Sequence, residues 1–268
     1  MCWHSLLYFL LFWWTWTGKS RILSLLCLKR RMDMEHIEGN LTTGSISKVL
    51  AKLSIPIITA AFLSTAYNIT DMAWIGKLGG NALAGVGVGS MYSWLSQGLS
   101  TLARMGGQVL VAQELGKGRK EDASAYAVAS VQLTVLFGIL FGVISLIFTD
   151  PMVAFFGLKN AEALEVAKIY LQITCGLILF SYLGQTLTGL YTAQGDSRSP
   201  LKANFIGLMV NMILDPLLIL GIGPFPKLGA SGAAIATVTA QVIVVVVLML
   251  KSHGASAEHS VLGRRRVW

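Results

Sequence analysis

The chain has 268 residues, 54% of them hydrophobic and only 13% charged, with a net charge of +8 and a mean hydropathy of +0.65. A soluble domain carries roughly a quarter charged residues, so this composition cannot cover a water-facing surface, and the same apolar content excludes disorder. The apolar runs are continuous rather than alternating, which points to membrane helices and not to a barrel.

Residues 1–33 open with an apolar, Trp-rich stretch that ends at Gly18 and Lys19. It is too short to span a bilayer reliably and has no basic leader for a signal peptide, so it reads as an interfacial or upstream extension. Six segments long and apolar enough to span follow between residues 34 and 250. They run from about Ile46 to Gly76, Leu83 to Gln113, Ala123 to Phe148, Val166 to Gln194, Leu201 to Gly221 and Ala230 to Leu250. Turn signals separate them at Gly79-Gly80-Asn81, Gly116-Lys117-Gly118, Asp150-Pro151, Gly195-Asp196-Ser197 and Gly223-Pro224-Phe225-Pro226. Residues 251–268 are polar and basic and read as a disordered tail, although Arg264, Arg265 and Arg266 could meet anionic headgroups.

Lys and Arg fix the orientation. With the residues before the first segment placed in the cytoplasm, fourteen basic residues lie inside and only Lys77, Lys159, Lys168 and Lys227 outside. The expectation is a multi-pass protein of the cytoplasmic membrane with both termini inside. Basic residues clustered between spans also argue against a nucleic-acid partner. Three cysteines and 4 scattered histidines make no disulfide framework and no zinc or haem site. There is no nucleotide loop, catalytic constellation or cofactor fingerprint, so the chain reads as neither an enzyme nor an ATP-driven pump.

A carboxylate in the middle of a membrane helix costs roughly 2.5–3.5 kcal/mol on insertion scales. Two such acids stand out, Asp71 in the first segment and Asp215 in the fifth. Each lies about 6–8 residues from the outer end of its segment, so both sit roughly 9–12 Å below the outer boundary. Asn211 is one helical turn from Asp215 and shares its face. Thr237 enters the sixth segment to a similar depth, and Tyr67 and Asn68 lie beside Asp71. These hard oxygen donors suit a proton or a small cation such as Na⁺. Two acids close together cannot both ionise without a counter-charge, so one would carry a proton. Pro56 breaks the backbone ladder of the first segment and makes it a candidate hinge, and Pro216 loosens the helix beside Asp215. Gly85, Gly87 and Gly89 permit close helix approach. Arg104, inside the second segment, is expected to snorkel or to pair structurally.

The residues Leu53 to Ile57, Tyr67 to Gly79, Gln113 to Gly118, Asn211 to Pro216 and Leu228 to Thr237, in this order and spacing, resemble the MATE family of multidrug and toxic compound extrusion transporters, in its DinF-like or prokaryotic form. The resemblance implies an all-α membrane protein in which residues 34–250 correspond to the N-terminal six-helix lobe of a twelve-helix transporter. It implies antiport of small organic, often cationic, compounds against H⁺ or Na⁺, with no other cofactor. It places the coupling site on Asp71, Asn211, Asp215 and Thr237, the helix bend on Pro56, and Tyr67 in the cavity. The second lobe is absent, so the chain reads as a truncated half, a homodimer being the alternative. A lipid-linked oligosaccharide flippase of the same superfamily is a weaker alternative, because such a cavity needs many cations and this chain offers only Arg104 within its helices. A non-functional fragment is the third reading.

Overall fold

The computed structural model describes residues 58–59, 61–62, 65–66, 68–222 and 226–253. Among them there is no strand. A helical segment over 68–76 leads into α1 (Gly80–Gly116), α2 (Lys120–Ile147), α3 (Thr149–Ala154), α4 (Ala161–Gly176), α5 (Ile178–Ala193), α6 (Arg198–Leu220) and α7 (Ala230–His253). The helical membrane class expected from composition is what the chain adopts. The extension over residues 1–33 and Pro56 and Tyr67 lie outside the described residues, as does the tail after His253. The last helix runs three residues beyond its expected end at Leu250.

Helices α2, α6 and α7 are each long and apolar enough to cross a membrane. The fourth expected segment is not one helix. It divides into α4 and α5, which bend by 44° across Leu177 and together are long and apolar enough for a further span. Uniform apolarity conceals such a break. Its physical correlate is close packing: a Cβ on Gly142 of α2 would lie 3.2 Å from the Gly176 carbonyl oxygen, and a Cβ on Gly176 would lie 3.1 Å from the Leu146 side chain. Asp150-Pro151 is not a loop either. It begins α3, since proline is tolerated in the first turn, where the backbone N–H needs no partner within the helix.

Helix α1 is the hub, packing on α2, α4 and α5, while α7 packs on α4, α5 and α6. Lipid tails are as apolar as leucine, so small residues and polar bonds hold such helices together. A Cβ on Gly85 would meet the Ala163 carbonyl oxygen at 2.6 Å, and one on Gly89 would meet Tyr170 at 2.8 Å, so these two glycines seat α1 on α4. A Cβ on Gly87 would meet nothing within 4 Å among the described residues. Ser130 donates to the Ala103 carbonyl at 2.8 Å, the Thr134 and Thr186 hydroxyls meet at 2.8 Å, and Tyr182 donates to the Ser96 carbonyl at 2.7 Å. Bonds of this kind contribute on average about 0.6 kcal/mol each in membrane bundles.

The two ends of the bundle are tied separately. At one, Glu114 pairs with Lys117 at 2.6 Å and with Arg119 at 3.6 Å across the α1–α2 turn. Asp196, between α5 and α6, accepts the Ser199 backbone N–H at 3.0 Å and the Lys251 ammonium of α7 at 3.3 Å. At the other end Lys168 pairs with Asp150 at 2.5 Å, and Asn81 donates to Glu162 at 2.8 Å. Burial alone would push the Asp196 carboxyl up. The Ser199 hydroxyl and N–H and the Lys251 ammonium together hold it below the usual aspartate value.

Two outcomes follow from these contacts. Gly85→Ala forces α1 off the Ala163 carbonyl and lowers stability by about 1–3 kcal/mol, whereas Gly87→Ala stays within about 0.5 kcal/mol; thermal unfolding in detergent reads both, and equal melting would sink the packing assignment. Asp196 has a depressed folded pKa, so its stabilisation is present above the ordinary unfolded value near pH 4 and is lost as pH falls through the folded one. Asp196→Asn therefore melts below wild type at pH 7, and the two melting curves converge in acid.

Candidate functional site

The segment over 68–76 and α6 carry the two acids to one buried place. Asp71 is 6% exposed, and Asp215 and Asn211 are fully buried. One turn beyond each acid, Ile75 and Ile219 belong to a single apolar cluster with Val86, Tyr170, Ala230, Ala233 and Ala234. The two carboxylates thus occupy one layer, and they lie within electrostatic range of each other. The alanines of α7 and Gly232, where a Cβ would meet the Leu218 carbonyl oxygen at 2.5 Å, let α7 press against α6 at this level.

Asn211 links the two helices. With its amide oriented to satisfy both neighbours, its nitrogen donates to Asp215 Oδ2 at 2.7 Å and its oxygen accepts the Thr237 backbone N–H at 3.2 Å. The shared face read from the four-residue spacing is therefore a bonded pair, and Thr237 joins through its backbone. Asp71 Oδ1 is buried without a hydrogen-bond partner among the described residues. Neither Asp71 nor Asp215 has a lysine or arginine within ion-pair distance among them. No cluster of three or more His, Cys, Asp or Glu suited to a metal ion occurs among them either. Two carboxylates, one amide oxygen and nearby hydroxyls form the donor set.

Asn68, expected to line the cavity beside Asp71, is exposed, on a different face of its helix from the buried acid. Tyr170 of α4 is an addition that sequence reasoning missed. Its ring is buried beneath the acid layer, its hydroxyl bonds to Ser90, and it senses both carboxylates electrostatically. The depth arithmetic used for Thr237 would have found it, since Tyr170 lies nine residues into α4 from the same end, about 14 Å.

Beneath the acid layer a cavity of about 360 Å³ opens between α1, α5, α6 and α7. Its polar lining includes Ser181, Gln185, Thr188, Asn204 and Gln241, with Thr237 at the edge nearest Asn211. Arg104, expected to snorkel or to pair structurally, also lines it. Its Nε is buried without a hydrogen-bond partner, and it forms no ion pair among the described residues.

The MatE family pattern matches residues 56–217, and the chain belongs to that family. It is 28% identical over 202 residues to the "Probable multidrug resistance protein NorM" of Thermotoga maritima, covering 74% of this chain and 42% of that protein. It is 28% identical over 204 residues to the "FAD transporter" of Shewanella oneidensis, covering 74% and 43%. Its fold matches solved structures of a MATE in a bent conformation (TM-score 0.69) and in a straight conformation (TM-score 0.70), each at 27% identity and covering 76% of this chain. They are matched over 45% and 44% of their own length. The chain spans less than half the length of the relatives it matches, as a single lobe would.

Asn211→Ala removes the amide donor from Asp215 Oδ2 and the acceptor from α7. It should cost about 1–3 kcal/mol, because a buried group loses its partner. Detergent melting near neutral pH checks this, and an unchanged midpoint would show that the link does not form.

Proposed function

We propose that this chain is the N-terminal lobe of a cation-coupled exporter of small organic compounds, many of them cationic. Asp71, Asn211, Asp215 and Thr237 form its coupling site, and H⁺ or Na⁺ is the ion. The observation that carries the reading is the pair of buried carboxylates in one layer with no basic partner among the described residues. Such a pair is tolerated at depth only when a proton or a cation neutralises part of its charge. The oxygen-only donor set favours a hard ion.

Ion binding at this layer changes the charge beside the first segment, and Pro56 in that segment is the hinge through which the cavity responds. MATE structures in bent and straight conformations support a bend of this kind. The lobe sits in the cell membrane with both chain ends on the cytoplasmic side, as the basic residues favour. It works against a second lobe or a second copy of itself, which closes the transport path.

The test is ion binding by the purified chain, followed by calorimetry with Na⁺ and by proton release. Wild type binds saturably, and Na⁺ affinity rises with pH because protons compete for the same oxygens. Asp71→Asn and Asp215→Asn each abolish this binding with unchanged helical content. Ordinary binding in both variants would remove the coupling role.

A further inference from the structure

Arg104 is a half-buried cationic side chain, its Nε out of contact with solvent, that the coupling reading does not use. It stands 24 residues into α1 from Gly80 and 12 before Gly116, about 18 Å from the cytoplasmic end. A guanidinium kept at membrane depth without a carboxylate partner marks a substrate or ion path rather than a structural pair. No acid lines its cavity. The other polar groups there are Gln185, Asn204, Gln241, Ser181, Thr188 and Thr237, all able to donate hydrogen bonds. Gly189 presses on the Arg104 stem, where a Cβ would meet Cγ at 2.8 Å and the Gln108 amide oxygen at 3.2 Å, so the side chain is held in place.

We propose that this cavity is an anion-recognising subsite, in which Arg104 and the surrounding amides hold a carboxylate or phosphate group of the bound compound. The guanidinium supplies a fixed fork that matches two oxygens of such a group, and the amides and hydroxyls take the rest. A volume of about 360 Å³ accommodates a small organic ligand and not only an ion. The exporter then takes zwitterionic or anionic compounds as well as cations. This deepens the export reading and rests on it for the word substrate; the binding claim stands on the cavity alone.

The test uses the purified full chain in uncharged detergent and two dyes of similar size, anionic carboxyfluorescein and cationic rhodamine 6G, read by fluorescence polarisation. Wild type binds carboxyfluorescein saturably. Arg104→Gln weakens this at least tenfold and leaves rhodamine 6G within twofold, while Arg104→Lys loses less than the Gln variant. Gly189→Ala, which displaces the guanidinium but keeps its charge, weakens carboxyfluorescein binding too and serves if the Arg104 variants fail to fold. Displacement of the dye by phosphatidylglycerol but not phosphatidylcholine assigns the anion to a lipid headgroup. Displacement by water-soluble dicarboxylates alone assigns it to a free compound, and either result supports the subsite. A folded Arg104→Gln chain that binds carboxyfluorescein like wild type overturns the proposal, as does a wild type with no saturable binding at 1 mM dye, the top of the titration on the order of a weak specific site. Neither failure touches Na⁺ or proton binding at Asp71 and Asp215, so the two readings fall separately.

Discussion

Two carboxylates buried in one layer without a basic partner set the terms for the rest of this lobe. Burial of Asp71 and Asp215 is tolerable only where every other polar group near them is satisfied and the helices leave no route for lipid. The surrounding packing meets that demand. Alanines at 230, 233 and 234 and Gly232 bring α7 onto α6, Tyr170 fills the space beneath, and Asn211 spends its amide on Asp215 and on the backbone of α7. What stays unmet among the described residues is an oxygen of Asp71.

Much of the fold is legible in the sequence because a bilayer demands long apolar runs and penalises every charge within them. The bounds of α2, α6 and α7 follow to within three residues from apolarity and turn residues alone. What was not legible is where one run contains two helices. The α4–α5 break at Leu177 leaves hydropathy untouched, because it arises from close contact between Gly142 and Gly176 of different helices. The α3 turn was hidden for the opposite reason: Pro151 reads as a breaker unless it is known to lie in a first turn.

The candidate site divides in the same way. Asp71, Asp215 and Asn211 could be placed together from depth and one-turn spacing, since helical geometry converts residue count directly into position. Asn68 could not be excluded by that count. Three residues from Asp71 is close along the helix, yet the angular step between them turns one side chain inward and the other outward, and only the neighbours decide which. Arg104 was visible as an intramembrane cation. Its surroundings come from α5, α6 and α7, three segments whose mutual arrangement no local pattern states.

Successive turns of two helices connect the acid layer to the cavity. Along α6 the order is Asp215, Asn211, Leu208 and Asn204, and along α7 it is Thr237, Ala240, Gln241 and Val244. Thr237 belongs to both places, bonded to Asn211 through its backbone and lining the cavity beside Leu208. Asn211 is therefore the side chain that bonds Asp215 to α7, whose Thr237 lines the cavity. Negative charge above and a positive guanidinium below place opposite potentials at the two ends of a short path. An ion that neutralises the upper end removes attraction for a cationic group and leaves the attraction of Arg104 for an anionic one intact. The acid layer and the cavity are thus joined by one continuous run of residues on two helices, from Asp215 to Asn204 on α6 and from Thr237 to Val244 on α7.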